Sequence, residues 1–495
     1  MEIPFLMILL LLPLIGAIVT LFMGGQRSKY AVYSAGAFSG ITLIMSIYLL
    51  IVGDFGSFTM SYVWIEAAGL TMNFALGVDG LSILMVFLTS LLVFLVVVFS
   101  SSEKDRPNYF HTLLLVMEVG LLGVYMSQDY FLFYIMWEIT LIPMYFMISW
   151  YGGPRRHYAA IKFFLYTHVA SLIMLIGIFA LVFQAAVVTG NPVDFSFAAV
   201  LAGTAAGFGA TFQTLVFGLL FFGFAVKMPI VPFHTWLPDA HVEAPTGGSV
   251  ILAGVMLKMG AYGIIRVCLT VLPEGAQTWQ WVMVGLALLS IIYGAYACIA
   301  QRDLKKMVAF SSISHMGMVL LGIAVLSEVG LEFAIFQMFA HGLITAVLFM
   351  VCGMTGHNVG TREIPLLGGL AGKMPIYAAF MMFGFMASLG LPGLVGFVAE
   401  FGILYSFWDF IAGTQYMWMI VFGMLSMMLT AGFYLWAMQR TLFGKLTDKV
   451  DTSHVHDVSL PEGIALGALC ALIALFGIMP SLATDFITMF TGGFF

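Results

Sequence analysis

Phe224-Ala225-Val226-Lys227-Met228-Pro229-Ile230-Val231-Pro232 places an ammonium group and two prolines inside a run of apolar side chains. Each proline lacks a backbone N–H, and its ring clashes with the carbonyl four residues back, so a helix that enters this stretch breaks there. The carbonyls of Ala225 and Met228 are expected to lose their helical partners beside the Lys227 head group, where free acceptors can hold water. A lysine near the centre of a bilayer costs about 2.5–3.5 kcal/mol on insertion scales, so it needs a partner, a wet cavity or a function. The composition supplies the membrane that this reading requires. Of 495 residues, 62% are hydrophobic and 8% are charged, whereas a soluble domain carries about a quarter of its residues as charges. A water-soluble fold is excluded, and no soluble domain fits beside the spans.

Outward from the break, apolar runs of spanning length, about 20 residues each, fall at 3–23, 30–52, 78–100, 109–127, 129–149, 161–185, 211–235, 246–271, 279–301, 306–326, 331–352, 374–407, 415–439 and 461–490. They predict an all-α polytopic membrane protein of about fourteen transmembrane helices. The first run follows Glu2 with no basic segment before it, so it reads as a retained span and not as a cleaved signal. Lys and Arg test the count, because short cytoplasmic loops keep positive charge. Arg27, Lys29, Lys104, Arg106, Arg155, Arg156, Lys162, Arg302, Lys305, Lys306, Arg362, Lys373, Arg440, Lys445 and Lys449 all fall at odd-numbered connections. Even-numbered connections hold none, and the long stretches 53–77 and 186–210 read as outer loops. Both termini are therefore expected on the outer side. Lys227, Lys258 and Arg266 remain within spans, with Arg266 near enough to the outer end to snorkel.

Several chemistries find no support. The formal charge of −6 and the membrane composition give no reason to expect a nucleic-acid partner. Cys268, Cys298, Cys352 and Cys470 stand far apart in apolar runs and read as small core residues, without iron–sulfur spacing. His454-x-His456-Asp457 lies in a cytoplasmic loop, where two histidines without a third ligand read as a solvated segment and not as a metal site. No phosphate loop, dinucleotide fingerprint or nucleophile elbow is present, so no cofactor is expected on this chain.

A shift of 173 residues lays His168 on His341 and Gly223-Phe224-x-x-Lys227 on Gly396-Phe397-x-x-Glu400. It maps spans six and seven onto eleven and twelve, an odd displacement that reverses orientation, as in an inverted repeat with ion sites on broken helices. Leu391-Pro392-Gly393 supplies the second break, shortly before Glu400. Glu138, midway along span five, is the expected partner of Lys227: with the carboxylate close the lysine keeps its proton, and with it withdrawn burial drives the proton off. A static ion pair that locks two helices is the alternative. Lys258 lies among small residues that leave room for water. His315 and His341 are candidate relays, since imidazole accepts and donates near neutrality. Glu400 continues the series. Glu118, mid-span in helix four, and His168 are weaker candidates, and Asp129 reads as structural.

Lys227-Met228-Pro229 through His234-Thr235-Trp236-Leu237-Pro238-Asp239-Ala240-His241-Val242-Glu243-Ala244-Pro245-Thr246, continuing to Lys258-Met259-Gly260-Ala261-Tyr262-Gly263, resembles the proton-conducting membrane transporter family. That family includes antiporter-like subunits of complex I, Mrp antiporter subunits and membrane hydrogenase subunits. Trp137-Glu138-Ile139-Thr140-Leu141-Ile142-Pro143-Met144-Tyr145-Phe146 and Ala387 to Gly393, followed by Glu400, resemble its M-type, or chain 4, branch. The L-type, N-type and Mrp branches generally carry Lys where Glu400 stands.

The resemblance implies three N-terminal helices over 1–108, two inverted five-helix repeats over 109–271 and 279–443 with helices 7 and 12 broken, and a loop and final helix over 444–495. It implies Glu138 and Lys227 as the input pair, Lys258, His315 and His341 as the central relay, and Glu400 as the exit group. It also implies proton pumping driven by electron transfer on other subunits, which would carry iron–sulfur clusters, a flavin and a quinone or phenazine. The partners it implies are neighbouring antiporter-like subunits, small membrane subunits, lipid and protons. A cation/proton antiporter subunit, a membrane hydrogenase subunit and a static scaffold are the alternatives.

Overall fold

The computed structural model describes residues 4–103, 105–446, 448 and 455–494. Lys104, Lys449 and His454 lie outside the described residues, as do Ile3, the first residue of the first predicted span, and the side chain of Arg27. In chain order the structure begins with α1 (Phe5–Leu21), α2 (Ala31–Val52), a hairpin of β1 (Met60–Ala67) and β2 (Leu70–Leu76), α3 (Ser82–Phe99), α4 (Pro107–Met126), α5 (Tyr130–Ile139), α6 (Leu141–Tyr151) and α7 (Arg156–Thr189). It continues with β3 (Val193–Asp194), α8 (Phe197–Gly207), α9 (Ala210–Lys227), α10 (Trp236–Glu243), α11 (Thr246–Ile251) and α12 (Leu257–Gly263). Then come α13 (Pro273–Ile299), α14 (Leu304–Ala324), α15 (Glu328–Val359), α16 (Pro375–Ser388), α17 (Val395–Ile411), α18 (Ile420–Leu442), α19 (Leu460–Ile478) and α20 (Ser481–Thr491).

Among the described residues, twelve helical segments are long and apolar enough to cross a membrane. Two of the expected runs differ from these. The described part of α1 has 17 residues, and the run at 374–407 is divided into α16 and α17 around Pro392. The expected span 461–490 is not one helix: Pro480 ends it, and α20 turns away as a separate short helix. The reason is that proline at this point removes a helical donor and disfavours helix in the residue before it.

The bundle is ordered by burial. α15, α14 and the segment Thr246–Leu269 are buried almost throughout, whereas Ser28–Val52 and Met417–Leu442 are mostly not. Outer helices turn Ile51, Val187 and Met428 outward, as lipid-facing side chains do. Three helices that carry ionisable side chains thus form the centre.

The stretches read as outer loops are partly ordered. β1 and β2 pair antiparallel with Met60 opposite Leu76, and β3 adds in parallel with Val193 opposite Leu70. The two-residue turn holds Ala68 at φ 52° and Gly69 at φ 78°, the positive-φ pair that suits a tight hairpin. Asp129 ties this sheet to the bundle. Its Oδ1 accepts from Phe131 N and Leu132 N at the start of α5, and its Oδ2 accepts from Asn73 N at 2.9 Å.

The span after the first break is itself irregular. Two π-helical segments, Leu252–Met256 and Ile264–Leu269, flank α12. Gly260 lets α12 approach the end of α9 closely: a Cβ there would stand 2.5 Å from the Phe224 carbonyl oxygen and 2.7 Å from Met228 N. Both obstacles are backbone atoms and cannot swing aside. Gly260→Ala is therefore expected to destabilise the fold by about 1–3 kcal/mol through overpacking. A thermal melt of the detergent-solubilised protein checks this, and an unchanged Tm would contradict the close contact.

Candidate functional site

The first cluster forms where α9 ends. Lys227 is its last residue, and the chain then turns through 228–235 before α10. The break satisfies more of its backbone than the prolines alone suggest. Ile230 N donates to the Ala225 carbonyl at 3.0 Å, the Trp236 indole to Val226 O at 3.0 Å, and Val231 N to Ser290 Oγ at 2.9 Å. The expected free carbonyl at Ala225 is thus recaptured by a donor five residues on. Lys227 Nζ has no hydrogen-bond partner among the described residues. It lies 5.6 Å from the centroid of the Trp137 ring and 5.7 Å from that of Phe163, held by aromatic faces.

Glu138, on the last turn of α5, does not bond Lys227 as expected. Its Oε2 pairs with His168 Nδ1 at 2.8 Å, and its Oε1 accepts from the Ser171 hydroxyl. His168 and Ser171 stand one turn apart on α7 and so present both groups to the same carboxylate. The side chains of Glu138 and His168 are 23% and 35% exposed, which places this pair on a flank of the bundle and not in its centre.

The second cluster lies in the centre. The π-helical turn before α12 widens the helix and frees carbonyls. Lys258 Nζ donates to one of them, Ala253 O, while the Tyr125 hydroxyl donates to another, Val255 O, at 2.9 Å. The ammonium also donates to His341 Nδ1 at 2.7 Å. The rings of His341 and His315 have centroids 5.3 Å apart, and His315 Nδ1 meets Glu400 Oε1 at 2.9 Å. Lys258, His341, His315 and Glu400 therefore form one row, and each is at most 5% exposed. Four separate helical segments supply them. Such a row of bases and acids can pass a proton from one member to the next.

The 173-residue shift holds for α7 and α15, which carry His168 and His341. It does not reproduce the breaks. Lys227 ends the helix before its break, whereas Glu400 lies within α17, after its break. Glu118 joins neither cluster. It is fully buried on α4, and both carboxyl oxygens are without a hydrogen-bond partner among the described residues.

Two buried groups escaped the sequence reading. His241 on α10 is fully buried, stacks on Phe349 with centroids 4.5 Å apart, and has both ring nitrogens unpartnered among the described residues. Lys305, assigned to a loop, is 2% exposed and donates to Ala244 O at 2.5 Å. The signal available for His241 was its position between the first break and Pro245. Lys305 offered none, because its neighbours Arg302 and Lys306 look alike in sequence.

Arg266 does not snorkel. Its guanidinium bonds Asp79 Oδ2 at 2.5 Å, donates to the Tyr262 hydroxyl at 3.3 Å, and lies 5.1 Å from the Phe490 ring centroid. Asp457 is likewise structural: its carboxylate accepts from Ile376 N and Tyr377 N, both at 2.9 Å, at the start of α16. Among the described residues, no group of three or more His, Cys, Asp or Glu is placed to hold a metal ion.

Burial pushes the Asp79 carboxyl up, but the Arg266 guanidinium and the Ser82 hydrogen bonds outweigh it and hold the carboxyl below its ordinary value. A carboxyl held low adds stability above the ordinary aspartate value of about 3.9 and loses that contribution as pH falls through its lowered value. Asp79→Asn is therefore expected to lower Tm at neutral pH, and the gap to the parent protein should close as pH falls below about 4. A gap independent of pH would show that the ion pair contributes nothing.

The chain matches the family described as NADH:quinone oxidoreductase/Mrp antiporter, TM, over residues 127–430. It is 39% identical over 491 residues to F(420)H(2) dehydrogenase subunit M of Methanosarcina mazei, covering 97% of this chain and 96% of that protein. It is 38% identical over 497 residues to NADH-quinone oxidoreductase subunit M of Rickettsia conorii, with the same coverage of 97% and 96%. Its structure superposes on a chain of respiratory complex I from Thermus thermophilus with TM-score 0.85 and 29% identity, covering 98% of this chain and 99% of that one. A chain of the Mrp complex from Dietzia shares the fold, with TM-score 0.84, 21% identity, and 98% and 97% coverage.

Proposed function

Because this chain belongs to the NADH:quinone oxidoreductase/Mrp antiporter transmembrane family, we propose that its buried row of ionisable groups carries protons across the membrane. The chain is an antiporter-like membrane subunit of a complex I type oxidoreductase. The observation that carries the reading is the contact series Lys258–His341–His315–Glu400. Buried polar groups kept for packing alone are expected to be satisfied locally, yet here each is turned toward the next member of a row.

Lys258, His341 and His315 act as the central relay and Glu400 as the exit group. Glu138 and Lys227 act as the input. In the present arrangement Glu138 is engaged by His168 and Ser171, away from Lys227, which corresponds to the withdrawn state of the switch. Movement of the carboxylate toward Lys227 would give the ammonium a counter-charge and favour its charged form. His168 is then the group that holds Glu138 between transfers. The two halves, 109–271 and 279–443, function as inverted repeats, and Glu118 is a further proton site on α4.

Moving one charge against 100 mV requires about 2.3 kcal/mol. The chain's own residues offer no redox or nucleotide chemistry, so electron transfer on other subunits supplies the drive. Those subunits hold iron–sulfur clusters, a flavin and a quinone or phenazine. The partly exposed Glu138–His168 flank supports a neighbouring antiporter-like or small membrane subunit at that side, since charged groups facing lipid are costly. The concentration of Lys and Arg on one set of connections supports cytoplasmic placement of that face and an outer placement of both termini, in an energy-conserving membrane.

In the whole complex reconstituted in liposomes, with NADH or F(420)H(2) as donor, Glu138→Gln and Lys227→Ala are expected to abolish this subunit's share of proton pumping while assembly persists. Unchanged proton-to-electron ratios in both variants would refute the relay. Sodium-driven proton flux without any electron donor would instead identify a cation/proton antiporter.

A further inference from the structure

His315 uses both ring nitrogens. Nδ1 faces Glu400, and Nε2 lies 3.2 Å from the Ser388 hydroxyl. From Ser388 a row of hydroxyls continues: Ser388 Oγ bonds the Tyr434 hydroxyl at 2.8 Å, and Tyr434 bonds Ser311 Oγ at 2.9 Å. Ser311 in turn donates to the Val308 carbonyl at 2.8 Å. Tyr434 and Ser311 are fully buried, and Ser388 is 3% exposed. Three helices, α14, α16 and α18, supply these groups.

The carbonyl end sets the direction of the whole row. A carbonyl only accepts, so Ser311 donates to it and accepts from Tyr434. Tyr434 then accepts from Ser388, and Ser388 accepts from an N–H on His315 Nε2. That tautomer leaves the Nδ1 line to carry the one proton that His315 shares with Glu400. The row also has a definite heading. Ser311 precedes His315 by four residues on α14, about 6 Å closer to the helix start at Leu304. That end carries Arg302, Lys305 and Lys306, the basic face.

We infer that Ser311, Tyr434 and Ser388 form a hydroxyl wire that delivers a proton from the basic face to His315 Nε2 and so drives the proton on His315 Nδ1 to Glu400. The inference rests on the relay reading of His315 and Glu400 proposed above. Delivery starts from the other tautomer of His315, with N–H on Nδ1 and Nε2 free, with the hydroxyls turned inward and a protonated water at the basic end. The proton binds Ser311 Oγ, and the Ser311 O–H bond breaks as a new O–H forms on Tyr434. The Tyr434 proton passes to Ser388, and the Ser388 proton forms the N–H at His315 Nε2. The proton on Nδ1 then passes to the Glu400 carboxylate. Charge and protons balance for the one transfer, and each hydroxyl ends with its hydrogen pointing back toward the basic face; a further transfer requires the hydroxyls to turn inward again and the His315 proton to move from Nε2 to Nδ1. That final orientation is the one the Val308 carbonyl imposes in the structure.

A conducting role needs the hydroxyls, whereas a packing role needs only the volumes. Tyr434→Phe keeps the ring, which packs against Phe385 with centroids 4.8 Å apart. The test measures proton-to-electron ratio in the reconstituted complex for Tyr434→Phe, Ser388→Ala, Ser388→Thr and Glu400→Gln. The expected result is loss of this subunit's share of pumping in Tyr434→Phe, Ser388→Ala and Glu400→Gln, with the parent ratio restored in Ser388→Thr. Should Tyr434→Phe fail to assemble, the two Ser388 variants decide. Parent ratios in Tyr434→Phe and Ser388→Ala, with loss in Glu400→Gln, would overturn the wire and leave the relay standing. Equal loss in Ser388→Ala and Ser388→Thr would also overturn it. A parent ratio in Glu400→Gln would overturn the relay and the wire together.

Discussion

An ammonium group in the middle of an apolar bundle must be met by acceptors, ring faces or an opposite charge, and the ways in which this chain meets that demand organise its interior. Lys227 is met by the faces of Trp137 and Phe163. Lys258 is met by a carbonyl and an imidazole, and Lys305 by the Ala244 carbonyl. Arg266 is met by a carboxylate, Asp79, as is Lys162 by Asp239. These solutions differ in how tightly they hold charge. An ion pair fixes it, whereas a ring face or a neutral imidazole lets the proton leave. The cations without a carboxylate partner include the two at the breaks in regular helix, Lys227 and Lys258.

Irregular backbone is what makes those solutions available. In a regular α-helix the carbonyls are occupied by donors four residues on. The π-helical turn at Leu252–Met256 releases Ala253 O to Lys258 and Val255 O to Tyr125. Tyr262 then donates to Tyr125 O at 3.1 Å, and Arg266 donates to Tyr262. The carboxylate at the margin and the widened turn at the centre are thus joined by one hydrogen-bonded series. The same physical requirement, that backbone groups in a low-dielectric interior be satisfied, explains why the break after Lys227 recruits Ser290 and Trp236.

The polar groups are divided between a flank and a centre. Glu138, His168 and Ser171 form a partly exposed cluster, while Lys258, His341, His315 and Glu400 are sealed among α14, α15 and the segments around α12. A partly exposed carboxylate–imidazole pair at this depth suits contact with another membrane subunit, and a sealed row suits transfer within one subunit. Lys227 touches neither by a hydrogen bond among the described residues and is held by aromatic faces.

Sequence alone was enough to determine that this is a membrane bundle, where most of its spans fall, and that the runs at 211–235 and 374–407 break. Those conclusions follow from local terms: apolar length, proline chemistry and the cost of burying charge. It was also enough to place Lys258, His315, His341 and Glu400 in one series through the family motif. Tertiary structure decided which groups meet. Glu138 pairs with His168 because α7 lies against α5, Arg266 pairs with Asp79 across 187 residues, and Tyr434 reaches His315 only through Ser388. None of these contacts has a local cause, so periodicity and spacing do not encode them; they follow from helix packing, which depends on side chains far apart in the chain.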